Sequence, residues 1–503
     1  MSAVDVAIPV RSLRAWSRPV PRAAFAAFSF VTAAFLHLPG LIRQLFDPDE
    51  AAIATMGMVI SRGGVLYRDV ADRKPPLAPV LYAALFQISG TRDLRPVHAL
   101  VAIELGAAAL LVASAVRRRA GDRAAWWAAG LLITGAMVFM SRDTQAANFS
   151  HLALLPACGA IVVARRGTTK SAALAGVLLG VAVLTRQTWI IGLAPAAFSA
   201  WLHGGRRADH VALVIAATAT TILVVAFLFP FGLFWHWTFT ANGSLLTGIT
   251  QSQDLLVRAG AATGIFIAGH LALVWLVARR GWHRNAADLW LWLAAGLVSV
   301  VAGFRFFGHY WLSVLPPLCL LGAPALAACG RSARRALAIA VLVPTAVGFG
   351  LGWSAEEARR ADPTRLVAAA RTMTTPGDRI TVWGSFPELY WRSGRTPGGA
   401  LVISDFVVGR SAGRPAGAAA RAADITPGAL DQYMRSLRAA PPRLFFDTST
   451  AGIRGYQKFP PSLVPRVARF LARHYRRAAV IEGVTIYELK RSVPPNATLV
   501  RTS

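Results

Sequence analysis

Asp47-Pro48-Asp49-Glu50 places three carboxylates in four residues, directly after an apolar run from about Ala23 to Ile42. Two of the three have a structural explanation. Asp47 suits the N-cap of a helix, Pro48 its first position, and Glu50 the residue that closes a capping box. Asp49 is not needed for capping. In the first turn the helix dipole favours its ionised form, so it can take a proton from a hydroxyl. Further on, Tyr67-Arg68-Asp69-Val70-Ala71-Asp72-Arg73-Lys74-Pro75-Pro76-Leu77 puts Lys74 just before a proline-started helix. Helix amides and a lysine point charge there suit a phosphate. Headgroup anchoring is the plain alternative for Lys74.

Two more places hold cations among apolar residues. Thr185-Arg186-Gln187-Thr188 joins the runs 171–185 and 188–202. These runs and 150–164 are short for the ~30 Å hydrocarbon core. The junction is therefore expected to line a cavity, where an ionisable residue points to function; snorkelling to headgroups is the alternative. The stretch Phe304–Trp311 carries Arg305, His309 and Tyr310, and its aromatics also fit an interfacial belt.

These residues need a membrane scaffold to position them. The 503 residues are 55% hydrophobic and 15% charged, with a formal charge of +29, and mean hydropathy is +0.48. A soluble chain carries nearer a quarter charged residues. Besides 23–42, apolar runs fall near 97–116, 124–140, 150–164, 171–185, 188–202, 211–231, 259–278, 288–303, 312–328 and 336–353. The expectation is a polytopic α-helical membrane protein with about eleven spans. Two amphipathic surface helices are expected in the first outer loop, from Ala51 to Ile60 and after Pro76. The first run is long for a signal peptide and lacks a small-residue cleavage site, so it is expected to stay as a span.

Arginines cluster in alternate loops: Arg117-Arg118-Arg119, Arg165-Arg166, Arg206-Arg207, Arg279-Arg280-Arg284 and Arg331-Arg334-Arg335. They fall on the side of the basic N-terminus, with Arg11, Arg14, Arg18 and Arg22. The positive-inside rule puts that side in the cytoplasm and, with an odd span count, the C-terminal tail outside. Residues 1–353 then form the membrane domain and 354–503 a small extracytoplasmic α/β domain. Its expected strands are Arg379–Trp383, Ala400–Ile403, Arg443–Phe446 and Val484–Leu489. Its expected helices are Glu356–Met373 and Leu463–Tyr475, with a loop at Arg410–Arg421. Cys158, Cys319 and Cys329 have neither disulfide nor zinc spacing. No nucleotide fingerprint is present.

An acidic Asp-Glu pair after the first span, a Gly-rich break at Ser61-Arg62-Gly63-Gly64, Tyr67, and the Lys74-Pro75-Pro76-Leu77 helix start together resemble the GT-C superfamily of lipid-carrier glycosyltransferases. The branch is that of protein O-mannosyltransferases, the lipid A aminoarabinose transferase and bacterial relatives. The resemblance covers most of the membrane part and rests on the order of elements. It implies Asp49 as base and Lys74 as a contact of the carrier phosphate. It also implies roles for Arg186-Gln187, and for Arg305, His309 and Tyr310 before Pro316 and Pro317. The implied carrier is a polyprenyl phosphate in the plasma membrane. A second outer-loop acid of many relatives has no clear counterpart: Asp143 is near that place, and Asn148 occupies the expected position. No cofactor is expected, no metal ligand is assigned, and a divalent ion stays open.

The resulting expectation is transfer of a sugar to a hydroxyl of a glycan, lipid or protein at the outer face. Asp49 is the base and Glu50 its support or an acceptor contact. Lys74, Arg186 and Arg305 meet the leaving phosphate, and His309 or Tyr310 add hydrogen bonds. Two readings from other classes compete. A secondary transporter or lipid-sugar flippase would place charges at midplane and often shows two related halves; the chain shows no repeat. A non-catalytic membrane scaffold would use Asp47 and Glu50 for capping alone.

Overall fold

The computed structural model describes residues 22–242, 252–281, 286–302, 304–354, 363–410 and 425–490. Arg11, Arg14, Arg18, Arg284, the start of the expected 356–373 helix and all of the expected 410–421 loop beyond Arg410 lie outside them.

All eleven apolar runs hold a helix, but several are short or broken. Arg95–Gly135, Arg207–Ala226 and Arg331–Ser354 are long and apolar enough to cross a membrane. Among the described residues, two helix pairs, bent by 53° and 81°, bring the number to at most five if each is one span. The breaks have local causes. Gly121, at φ 79, turns the chain inside Arg95–Gly135, in a conformation that suits a residue without Cβ. At Arg186 the backbone is extended, and a 3-10 helix, Gln187–Gly192, follows. Large apolar side chains such as Val31, Ile88, Phe227 and Val257 are exposed around the bundle. A surface of that kind is matched by lipid rather than water.

Two ends of the bundle differ. At one end Asp288 takes hydrogen bonds from Arg165 and from Ser199 Oγ at 3.1 Å, and His203 Nε2 lies 3.2 Å away. This brings Arg165 and His203 together at the start of the helix Ala287–Val301. At the other end lie the 43–76 segment, the 141–150 and 186–189 breaks, the helix Phe231–Thr238 and the 304–313 stretch.

The helix Pro48–Ser61 is not the amphipathic surface helix expected from the sequence. Residues 50 to 59 are all buried. Its sequence has no polar face beyond the first turn, so a surface position would leave apolar area in water. It packs instead against Leu77–Ser89 and against the C-terminal domain, where Thr55 Oγ1 reaches the Pro387 carbonyl at 3.2 Å.

That domain holds a five-stranded mixed sheet: β1 (Arg379–Trp383), β2 (Thr396–Pro397), β3 (Leu444–Asp447), β4 (Tyr475–Ile481) and β5 (Val484–Leu489). The order is β2-β1-β3-β5-β4. β1 runs parallel to β2 and β3, while β5 is antiparallel to β3 and β4. Ala400–Ile403 is not a strand. It follows Gly398-Gly399 and leaves the sheet to meet the membrane part: the Ala71 amide donates to the Ala400 carbonyl at 2.7 Å, and Leu401 bridges to Ala71. The expected helix ends at His474, and Tyr475 opens β4. One apolar cluster runs from Ile53 and Tyr67 through Trp383 and Phe445 to Ile486. The two parts of the chain thus share a core.

Candidate active site

Asp47 caps the helix Pro48–Ser61: its Oδ1 accepts from the Asp49 amide at 2.8 Å. Glu50 closes the capping box and does more. Its Oε2 accepts from the Phe46 amide at 2.7 Å and the Asp47 amide at 3.3 Å. Its Oε1 accepts from the Ala147 amide at 2.6 Å and lies 3.4 Å from His98 Nε2. Glu50 is fully buried and ties the 46–50 turn to the 145–150 segment. That segment is also held by Tyr82, whose OH donates to the Ala147 carbonyl at 2.7 Å. The Asp49 side chain, by contrast, is exposed.

Asp49 lies within electrostatic range of Asp72, and Asp72 within range of Lys74 and Arg73. Burial lifts the Asp72 carboxyl above the usual carboxylate range. Lys74 and Arg73 pull it back, and Asp49 adds to the rise. The loop carrying these residues is tied from several sides. Tyr67 OH donates to the Lys74 carbonyl at 2.9 Å and sits 3.3 Å from Thr238 Oγ1. The Arg73 carbonyl accepts from Gln187 Nε2 at 3.0 Å and Asn242 Nδ2 at 3.2 Å. The Arg73 guanidinium lies 4.7 Å over the ring centre of Phe406, a residue of the C-terminal domain.

Lys74 Nζ is 5.6 Å from the ring centre of Phe149. The next residue, Ser150, accepts from Arg186 Nη1 at 2.9 Å, and the buried Arg186 guanidinium lies 3.9 Å over the Tyr310 ring. His309 stands against Tyr310, with ring centres 4.9 Å apart. Asp143 Oδ1 accepts from the His309 amide at 3.2 Å and lies 2.9 Å from its Nδ1. Arg305 is buried four residues upstream, between Phe304 and Phe306, which both have positive φ. So Asp49, Asp72, Lys74, Phe149, Ser150, Arg186, Tyr310, His309 and Asp143 form one chain of neighbours. Glu50 lies beneath its first member.

Around Arg186, several buried polar atoms have no partner among the described residues: Arg186 Nη2, Gln187 Oε1, Asn148 Nδ2 and His151 Nε2. Asn148 Oδ1 caps the turn Phe149–Leu152 and lies 3.1 Å from His151 Nδ1. Buried donors left unpaired cost about 1–3 kcal/mol each. Of these atoms, Arg186 Nη2 and Asn148 Nδ2 are donors, and a ligand rich in oxygen would satisfy them. Sequence reasoning did not single out Asp72, Ser150 or His151. Their roles depend on neighbours far along the chain, and only the run of polar residues from Ser141 to His151 within an apolar region hinted at them. Among the described residues no group of three or more His, Cys, Asp or Glu is placed to hold a metal ion.

No protein-family model and no curated protein matches the chain. Solved structures do. ArnT from Cupriavidus metallidurans bound to undecaprenyl phosphate aligns with a TM-score of 0.61 at 15% identity, over 94% of this chain and 98% of that one. Its apo state aligns at 0.60, with 16% identity over 93% and 97%. The Archaeoglobus fulgidus oligosaccharyltransferase in its apo form aligns at 0.51, with 11% identity over 94% of this chain and 75% of that one. The chain therefore shares the fold of these solved structures.

Proposed function

We propose that the chain is a glycosyltransferase that moves a sugar from a polyprenyl-phosphate carrier to a hydroxyl acceptor at the outer face of the plasma membrane. In this reading the eleven runs cross as spans, the N-terminus is cytoplasmic, and the domain from residue 354 stands outside. The carboxylate of Asp49 takes the proton of the acceptor hydroxyl. The freed oxygen pair forms a bond to the anomeric carbon. The bond from that carbon to the phosphate oxygen breaks, and its electron pair leaves with the polyprenyl phosphate. Lys74 and Arg186 meet the charge that develops there, with Arg305, His309 and Tyr310 completing the phosphate side. Glu50 acts by position: it fixes the first turn that presents Asp49 and holds the 145–150 segment beside Arg186.

The observation that carries the reading is the continuous run from the exposed Asp49, through Asp72 and Lys74, to the buried Arg186, whose Nη2 has no partner among the described residues. A base at the open end and cations at the buried end are what glycosyl transfer from a lipid phosphate needs. The ArnT structure with which the chain aligns is bound to undecaprenyl phosphate, and that supports the choice of carrier class.

The test uses the full chain in nanodiscs with radiolabelled polyprenyl-phosphate sugars and a panel of hydroxyl acceptors. Transfer that Arg186→Gln and Lys74→Gln each reduce by tenfold or more supports the proposal. Movement of the sugar-lipid across vesicles with no glycosidic bond formed would replace it with the flippase reading.

A further inference from the structure

Four arginines meet where the membrane part and the C-terminal domain join, at the far end of the helix that begins beside Asp49. Arg62 Nη1 donates to the Gly394 carbonyl at 3.0 Å. Arg92 Nη1 donates to the Trp391 carbonyl at 3.3 Å. Arg371 Nη2 donates to the Arg392 carbonyl at 2.6 Å. Arg395 donates to Thr374 Oγ1 at 2.7 Å and to the Thr374 carbonyl at 3.0 Å. The group closes around the end of the helix Glu388–Ser393. Gly394, at φ 71, leaves no room for a Cβ: that atom would meet the Arg92 guanidinium.

These charges are not neutralised by protein. Their hydrogen-bond partners are carbonyls, a hydroxyl and a sulfur, and among the described residues none of the four arginines pairs with a carboxylate. The charges act on one another: burial and the neighbouring arginines push the Arg62 and Arg92 guanidinium groups below their ordinary range. The few carbonyls of a helix end offset only a fraction of that charge. A guanidinium carries five N–H donors, and the protein bonds above use only some of them. Arg62 and Arg371 are exposed, so solute can reach the cluster.

We propose that Arg62, Arg92, Arg371 and Arg395 form a second anion site, built to take a phosphate-class group at the seam between the two parts of the chain. Arginine forks match phosphate oxygens in bidentate geometry, and several of them together favour a dianion over a single carboxylate. The site lies roughly 18 Å from Asp49 along the helix Pro48–Ser61, at 1.5 Å per residue. The phosphate is that of a lipid headgroup or of a soluble phosphorylated molecule. The inference stands on the cluster alone and does not depend on glycosyl transfer.

The test compares the full chain, Arg62→Gln/Arg371→Gln and Lys74→Gln in zwitterionic nanodiscs, titrated with inorganic pyrophosphate and followed by thermal unfolding. In a second arm the nanodiscs contain phosphatidic acid. The expected result is stabilisation that Lys74→Gln retains and the double variant loses, with at least tenfold weaker binding (about 1.4 kcal/mol). Without anion, the double variant is expected to melt at or above the parent temperature, because it removes repulsion. A response to pyrophosphate assigns the site to a soluble phosphate, and a response to phosphatidic acid alone assigns it to a headgroup. An unchanged response in the double variant, or loss of all response in Lys74→Gln, would overturn the proposal.

Discussion

The Arg186 guanidinium lies 3.9 Å over the ring centre of Tyr310 while its Nη1 donates to Ser150 Oγ. One face of the cation is thus spent on an aromatic ring and one edge on a hydroxyl. The buried Nη2 has no partner among the described residues. Planarity matters for both contacts, so Lys cannot replace Arg here. Arg186→Lys is expected to lower kcat/KM by about tenfold or more, given cation–π contacts worth about 2 kcal/mol when desolvated. Tyr310→Phe keeps the ring and is expected to lose much less. Equal losses in the two variants would show that the hydroxyl, not the stacked ring, is what Arg186 needs.

Asp49 and Glu50 are adjacent but should fail in different ways. Asp49→Asn leaves the cap intact, because the Asp49 backbone, not its side chain, is what Asp47 holds. Loss of a general base is expected to cost about 10²–10⁴-fold in kcat, with melting temperature unchanged. A variant that kept more than a tenth of parental turnover would remove Asp49 from the mechanism. Glu50→Gln replaces a carboxylate oxygen facing amide donors with an NH₂ group. Hydrogen bonds to charged groups are worth about 1.5–3 kcal/mol each. The variant is therefore expected to melt measurably lower.

Asp72 carries a stability cost that pH reveals. Its folded pKa is raised, chiefly by burial, so folding favours its protonated form. That contribution is fully present below the unfolded value near ~3.9 and is lost as pH rises through the folded value. Asp72→Asn removes the titration. Its melting temperature minus that of the parent is expected to grow as pH is raised from about 4 towards neutral. A constant difference across that range would show that Asp72 keeps its ordinary pKa in the folded chain.

What the sequence revealed was local or periodic. The cap at Asp47 and the break at Arg186 follow from neighbouring residue types, and the apolar runs follow from composition. The burial of Pro48–Ser61 was not legible, because part of the surface it packs against comes from residues near 390. Ala400–Ile403 reads as a strand by propensity, yet its partner is Ala71 rather than the sheet. Asp72, Ser150 and His151 are ordinary polar residues until the fold sets them beside Asp49 and Arg186. No spacing rule relates positions so far apart.

Among the contacts of the C-terminal domain with the candidate site is a side-chain bridge that can be tested. Gln432 Nε2 donates to the Tyr67 carbonyl at 2.8 Å, and its Oε1 accepts from Trp237 Nε1 at 3.0 Å. Tyr67 sits at φ 69, a backbone state that is rare for a bulky residue and persists only where its surroundings impose it. Its OH in turn holds the Lys74 carbonyl. Gln432 is thus a positioning residue for Lys74. Gln432→Ala leaves a buried donor and a buried acceptor unpaired, a loss of about 1–3 kcal/mol. Gln432→Glu still accepts from Trp237 but sets an oxygen against the Tyr67 carbonyl, so it is expected to fare no better. Both variants should raise KM for the lipid-phosphate donor more than they lower kcat, because Lys74 is displaced while Asp49 is not. Steady-state kinetics over a donor series separates the two effects. If Gln432→Glu matches the parent in KM, the bridge does not hold Lys74, and the domain touches the site by packing alone.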